Sequence, residues 1–213
     1  MRTLLSILAA IVVCYSCTDN DPSSSVEESP AATKETATAK PAIPSQEIQI
    51  KMALLAAPEE KRDSCAVYGY DSGQQLVLLK DGTNELKCIA DNPYEPGFSA
   101  VCYFKELEPL MQSGRDLRAK GVKGEQLLDE REKQVKSGTL KMPKDPSTLY
   151  VYSAKDEDVN TATGEVKNGS LRYVIYIPFA TAASTGLPAK PSAKGMPWIM
   201  NPGTSRAHIM INP

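Results

Sequence analysis

Residues 65–104 read CAVYGYDSGQQLVLLKDGTNELKCIADNPYEPGFSAVCYF. Short runs of Val, Ile, Leu, Tyr and Phe alternate here with turn chemistry, and this pattern decides the fold class. Cys65–Tyr70 is the first expected strand, and Asp71-Ser72-Gly73 turns the chain. Gln75–Lys80 is the second, followed by Asp81-Gly82, a pair suited to a tight hairpin. Glu85–Ala90 is the third. A loop with Pro93, Pro96 and Gly97 then leads to Phe98–Phe104, the fourth. Four strands joined by short links predict an antiparallel meander.

Two helical segments follow. Pro109–Lys120 carries Leu110 and Leu117 and stops at Gly121; Lys123–Lys136 carries Leu127, Leu128 and Val135 and stops at Gly138. A glycine in each place suits a left-handed helix cap, and the short link predicts an antiparallel helical hairpin. Strands are expected again at Ser147–Ala154, Leu171–Ile177 and Ala207–Ile211. Between the last two, residues 178–206 hold prolines at 178, 188, 191, 197 and 202, together with Phe179, Leu187, Met196, Trp198, Ile199 and Met200. That apolar content predicts a long segment packed over the sheet rather than a solvated linker. Upstream, Ser45 is placed to cap a helix with the apolar face Ile48, Met52 and Leu55, although Ile48, Ile50, Met52 and Leu54 also alternate as a strand would. Pro58 ends that element and suits the start of a fresh helical turn. The resulting fold class is α+β: an antiparallel sheet, a meander of about four strands plus the later ones, with the helical hairpin packed on one face. Residues 46–213 are expected to form a single domain.

The N-terminus reads MRTLLSILAAIVVCYSC over residues 1–17. Arg2 precedes an apolar run, Leu4–Val13, which at about 1.5 Å per residue is too short to cross a bilayer and fits an export signal. Cys14-Tyr15-Ser16-Cys17, followed by Thr18-Asp19-Asn20-Asp21, resembles the lipobox of bacterial lipoproteins, with Cys14 where Leu is usual. The small Ser16 before Cys17 makes Cys17 the residue that the resemblance implies is acylated. Lipidation there implies a membrane anchor and a place in the bacterial cell envelope, at the outer membrane. The alternative is an ordinary cleaved secretory signal. Residues 18–45, rich in Ser, Thr, Ala, Pro and Glu and without an aromatic residue, read as a disordered tether.

Charge narrows the partners. The chain has 24 basic and 26 acidic residues, and three of the former and five of the latter precede residue 46, leaving a neutral domain. Without a basic stripe the domain is not expected to bind nucleic acid, which requires phosphate neutralisation.

Few residues offer chemistry. Cys88 and Cys102 fall on the adjacent third and fourth strands, and an exported domain meets an oxidising compartment, so a disulfide between them is expected. Closing that loop contributes about 3 kcal/mol in the chain-entropy picture. Pairing of Cys65 with either partner, or a reactive thiol at Cys65, remains open. No C-x-x-C occurs. His208 is the sole histidine; it is a weak candidate general base without a nucleophile motif, and more simply a strand histidine. Asp156, Asp158 and Asn160 have the spacing that opens an EF-hand loop, but Thr161 and Lys167 stand where its glycine and closing glutamate belong. No metal or cofactor is expected. Trp198 and Met196 are candidate ligand-wall residues, with a core role as the alternative.

The domain's running pattern is Ala57-Pro58, Asp81-Gly82-Thr83-Asn84 leading to Cys88, Cys102-Tyr103, Ser137-Gly138 before Pro143, Gly195-Met196-Pro197 and Ala207-His208. It resembles a group of exported bacterial proteins of unknown function, a likeness that implies one domain and carries no activity. The expected function is a lipid-anchored envelope protein whose domain binds an envelope protein or small ligand without catalysis. The alternative is a hydrolase using His208 with nearby carboxylates.

Overall fold

The computed structural model describes residues 42–213, which fall within one compact unit. The expected signal, the tether up to residue 41 and the lipidation site Cys17 lie outside the described residues. Among the described residues no helix is long and apolar enough to cross a membrane.

Helix α1 (Gln46–Ala53) begins at Ser45, whose hydroxyl accepts the Ile48 N–H at 3.4 Å. A 3-10 turn follows Pro58 over Glu59–Ser64. The strands are β1 (Ala66–Tyr70), β2 (Leu76–Lys80), β3 (Leu86–Ile89) and β4 (Phe98–Phe104). Helices α2 (Glu108–Ala119) and α3 (Gly124–Lys136) come next. Gly121 and Gly138, at φ 80° and 76°, end them in the left-handed region. Strands β5 (Ser147–Ala154), β6 (Val159–Asn160), β7 (Glu165–Val166) and β8 (Ser170–Tyr176) follow. The chain ends with a short helix α4 (Ala182–Thr185) and strands β9 (Trp198–Met200) and β10 (His208–Ile211).

The fold is α+β, with an eight-stranded, mostly antiparallel sheet in the order β2-β1-β3-β4-β5-β8-β10-β9 and a separate β6-β7 ribbon. One expectation is corrected: the first four strands are not a simple meander. β3 pairs with β1, in parallel, with Ala66 opposite Lys87 and Val67 opposite Cys88. The Asp81-Gly82 signal does not close a hairpin between β2 and β3. Instead the chain crosses the start of β1, where the Thr83 and Asn84 N–H groups both donate to the Ser64 carbonyl, at 2.8 and 3.0 Å. Asn84 Nδ2 donates to the Lys61 carbonyl at 3.0 Å. These bonds to the segment before β1 replace the ladder a hairpin would have formed.

Residues 178–206 differ from a structureless segment as well. Trp198–Met200 forms the edge strand beside β10, with Ile199 opposite Ile209 and fully buried. Pro197 and Pro202 bracket it, and proline is tolerated at the ends of an edge strand because no neighbour needs its N–H.

The sheet buries apolar side chains on both faces. Val67, Cys88, Ala100 and Cys102 share a cluster with Met52, Ala53 and Ala56. Ile89 and Tyr103, one residue on from Cys88 and Cys102, join Leu107, Leu110 and Leu140 in the other. This is the period-two alternation expected of strands covered on both sides.

Candidate functional site

Three adjacent strands deliver the cysteines to one place. Cys88 of β3 lies opposite Cys102 of β4. Cys65 immediately precedes β1, two residues before Val67 and therefore on the same face. All three residues are fully buried, and their sulfurs lie within 4.8 Å of one another. Among the described residues this is the one set of metal-ligating side chains whose donor atoms converge. The expected Cys88–Cys102 disulfide is absent: all three are free thiols. Sequence adjacency of the third and fourth strands pointed to a pair, but the crossover places Cys65 against both.

The surroundings of the thiols are not wholly apolar. Cys65 Sγ donates to the Lys61 carbonyl at 3.2 Å, and Asn84 Nδ2 donates to that sulfur at 3.6 Å. The Lys80 ammonium donates to the Cys65 carbonyl at 3.0 Å and also holds the Asp63 carbonyl at 2.6 Å. Burial pushes the Cys65 thiol up, and any charge on Cys88 adds to this. Cys88 is pushed up strongly, first by its contact with Cys102 and then by burial, while Lys80 acts in the opposite sense. Cys65 and Cys88 are thus held as protonated thiols at neutral pH.

A groove of about 180 Å³ opens beside this cluster, lined by Met52, Ala90, Asp91, Glu95, Phe98 and Asp156 among others. Met52, Ala90 and Phe98 belong to the thiols' own apolar cluster and give the groove an apolar floor. Burial raises the Asp91 carboxyl to about 6, the Asp156 charge adds to this, and N–H bonds from Ser99 and Asn92 oppose it. Ser99 N donates to Asp91 Oδ1 at 2.8 Å, fixing that oxygen. A larger groove of about 370 Å³ follows α2 and α3. Four of its polar side chains pair with one another: Ser113 Oγ donates to Gln134 Oε1 and Gln112 Nε2 to Asp116 Oδ1, both at 2.6 Å.

His208 is buried in β10. Its Nδ1 lies 2.7 Å from the Arg206 carbonyl, which can only accept, so Nδ1 carries the proton. The ring centroid is 5.3 Å from that of Tyr176, its partner across the sheet. Burial, and secondarily the Arg206 charge, lower its pKa against the effect of that hydrogen bond. Trp198 is half-buried and Met196 is 48% exposed; neither is among the residues lining the two grooves. Asp156, Asp158 and Asn160 are each engaged by different protein donors. Asp156 Oδ2 accepts Gly97 N, Asp158 Oδ1 accepts Asn168 Nδ2, and Asn160 Oδ1 accepts the Ala162 and Thr163 N–H groups.

A polar network escaped the sequence reading. Glu108 accepts the Tyr103 hydroxyl at 2.8 Å, pairs with Lys87 at 3.1 Å and is bonded by Arg115. No single residue type in the sequence signals it, since its members meet only when β3, β4 and α2 assemble.

Comparison with protein-family models, with curated proteins and with solved structures finds no match.

Proposed function

We propose that this chain is a lipid-anchored protein of the bacterial cell envelope, held at the outer membrane through Cys17, whose domain binds a partner protein or small ligand without catalysing a reaction. The helical hairpin α2–α3 covers one face of the sheet in this reading, and the groove at Asp91 belongs to the other. That groove carries the proposal. Its floor of Met52, Ala90 and Phe98 offers apolar contact, while Asp91, Glu95 and Asp156 supply negative charge. The combination suits an apolar group bearing a cation, such as a peptide amine or a small organic amine. His208 does not favour the hydrolase alternative, because it is buried and its ring lies against Tyr176.

Fatty-acid labelling and in-cell crosslinking test the two halves separately. Labelling is expected in the wild type and lost in Cys17→Ala; equal labelling of both removes the anchor. A crosslinked partner or ligand recovered with the wild type is expected to be lost in the double variant Asp91→Asn/Glu95→Gln. Undiminished recovery with that variant excludes the groove as the binding site.

A further inference from the structure

We propose that Cys65, Cys88 and Cys102 form a binding site for one Cu(I) ion, held in a trigonal plane of three thiolates. This site is separate from the groove and does not depend on the binding reading above. Thiolate sulfur is a soft donor and selects Cu(I), zinc or iron–sulfur clusters over harder ions. Zinc in structural sites is almost always four-coordinate. Here the converging set among the described residues has three members, all cysteine. Three converging thiolates match the trigonal coordination of Cu(I).

The geometry is close to what the ion requires. A metal–sulfur bond of about 2.3 Å in a trigonal plane sets the sulfurs about 4.0 Å apart. The three sulfurs already lie within 4.8 Å of one another. Each is carried at or beside a different strand of one sheet, so the set is held by the β1–β3 and β3–β4 ladders rather than by a loop. Side-chain rotation and small shifts suffice to close the triangle.

The charge is also provided for. One Cu(I) with three thiolates carries a net charge of −2, which an apolar core would reject. Asn84 Nδ2 already donates to Cys65 Sγ, and the Lys80 ammonium is anchored on the Cys65 carbonyl. Both are carried by β2 or the crossover leading from it to β3. Binding exchanges S–H protons for the ion: Cu⁺ enters, up to three protons leave to solvent, and no electron is transferred. Disulfide formation between Cys88 and Cys102 would instead require an external two-electron acceptor, and the two outcomes exclude each other.

The test uses the full chain with Cys14→Ser and Cys17→Ser, which leaves three of its five cysteines. The reduced protein is titrated with Cu(I) under anaerobic conditions against a colorimetric Cu(I) chelator. Expected are one Cu(I) per chain, ultraviolet thiolate-to-metal absorption and proton release. Cys65→Ala, Cys88→Ala and Cys102→Ala are each expected to weaken binding by about a hundredfold or more, since changes even to groups behind the ligands cost 10- to 100-fold. Circular dichroism confirms that the variants compared are folded, and the wild-type titration is decisive by itself if one is not. A folded, reduced chain that takes no Cu(I) from the chelator overturns the proposal. So does undiminished binding in the folded variants, or Zn(II) bound in preference to Cu(I). A Cys88–Cys102 crosslink in protein trapped by alkylation directly from cells also overturns it, because two donors would then be consumed.

Discussion

Gly82 lies against the backbone of Ala66: a Cβ built on Gly82 would stand 2.1 Å from the Ala66 nitrogen and 2.6 Å from the Cys65 carbonyl carbon. This contact lets the chain leave β2, cross the start of β1 and enter β3 on the far side. The obstructing atoms are backbone, so they cannot rotate away as a side-chain tip would. Gly82→Ala is therefore expected to cost about 3 kcal/mol or more, at the upper end of overpacking effects. Gly97→Ala is the control. Gly97 sits at φ 78° with nothing within 4 Å of its would-be Cβ, so backbone strain alone applies, about 1 kcal/mol. Urea denaturation of both variants checks this, and equal losses would show that the crossover is not tightly seated.

Gln49 closes the other end of β1. Its Oε1 accepts Tyr70 N at 2.7 Å, and its Nε2 donates to the carbonyls of Tyr70 and Pro44, each at 3.0 Å. The side chain thus acts as a ladder partner for a strand end. Gln49→Ala leaves buried backbone groups unpaired and is expected to destabilise the fold by about 2 kcal/mol. Gln49→Glu keeps an acceptor for Tyr70 N but cannot donate to either carbonyl when ionised, so it is expected to be worse at neutral pH than in acid. Thermal melts at both pH values test this, and a neutral Gln49→Ala would show that water replaces the side chain without loss.

Much of the secondary structure was legible because its signals are local. Ser147–Ala154 has the bounds expected of it, and Ser45, Gly121 and Gly138 sit at helix ends where capping chemistry placed them. The parallel β1–β3 pairing was not legible. Asp81-Gly82 is a local hairpin signal, whereas the crossover depends on Gly82 meeting Ala66 and Asn84 reaching Lys61. The thiol cluster was hidden for the same reason, since residues 65, 88 and 102 share no motif spacing and converge only through that crossover. Edge strand β9 was missed because a strand of three residues is too short to show a period. Asp91 reads as an ordinary loop carboxylate, and the groove it shares with Gln49 and Met52 of α1 exists only in the folded chain.

Glu108 predicts an acid-side loss of stability. Burial alone would raise its pKa, but bonds from Tyr103 and Lys87, with the Arg115 charge, outweigh this and hold it below the ordinary carboxylate value. A carboxylate with a depressed folded pKa contributes stability above its unfolded value, and that contribution disappears as pH falls through the folded value. Glu108→Gln is therefore expected to be less stable than the wild type at pH 7 and to converge with it as pH falls through the folded value. Parallel pH profiles for the two proteins would exclude an energetic role for this network's charge.

Asp91 predicts the opposite sign. Its carboxyl is raised by burial from 3.8 to about 6. Between those values the folded chain binds more protons than the unfolded one, so stability falls as pH rises through this window and stays lower above it. Asp91→Asn preserves an oxygen able to accept Ser99 N while removing the ionisation. The variant is expected to be more stable than the wild type at pH 7.5 and equal to it below pH 4, which denaturation at stepped pH measures directly. Such a cost of keeping a carboxylate in the groove is what a binding site shows when its ligand is absent. A cationic probe such as an alkylammonium ion should bind the ionised form, so its affinity is expected to rise as pH passes 6 and to fall in Asp91→Asn. A wild type that is no less stable than Asp91→Asn at pH 7.5, or an alkylammonium affinity independent of pH between 5 and 7.5, would show that Asp91 is not held for a cation.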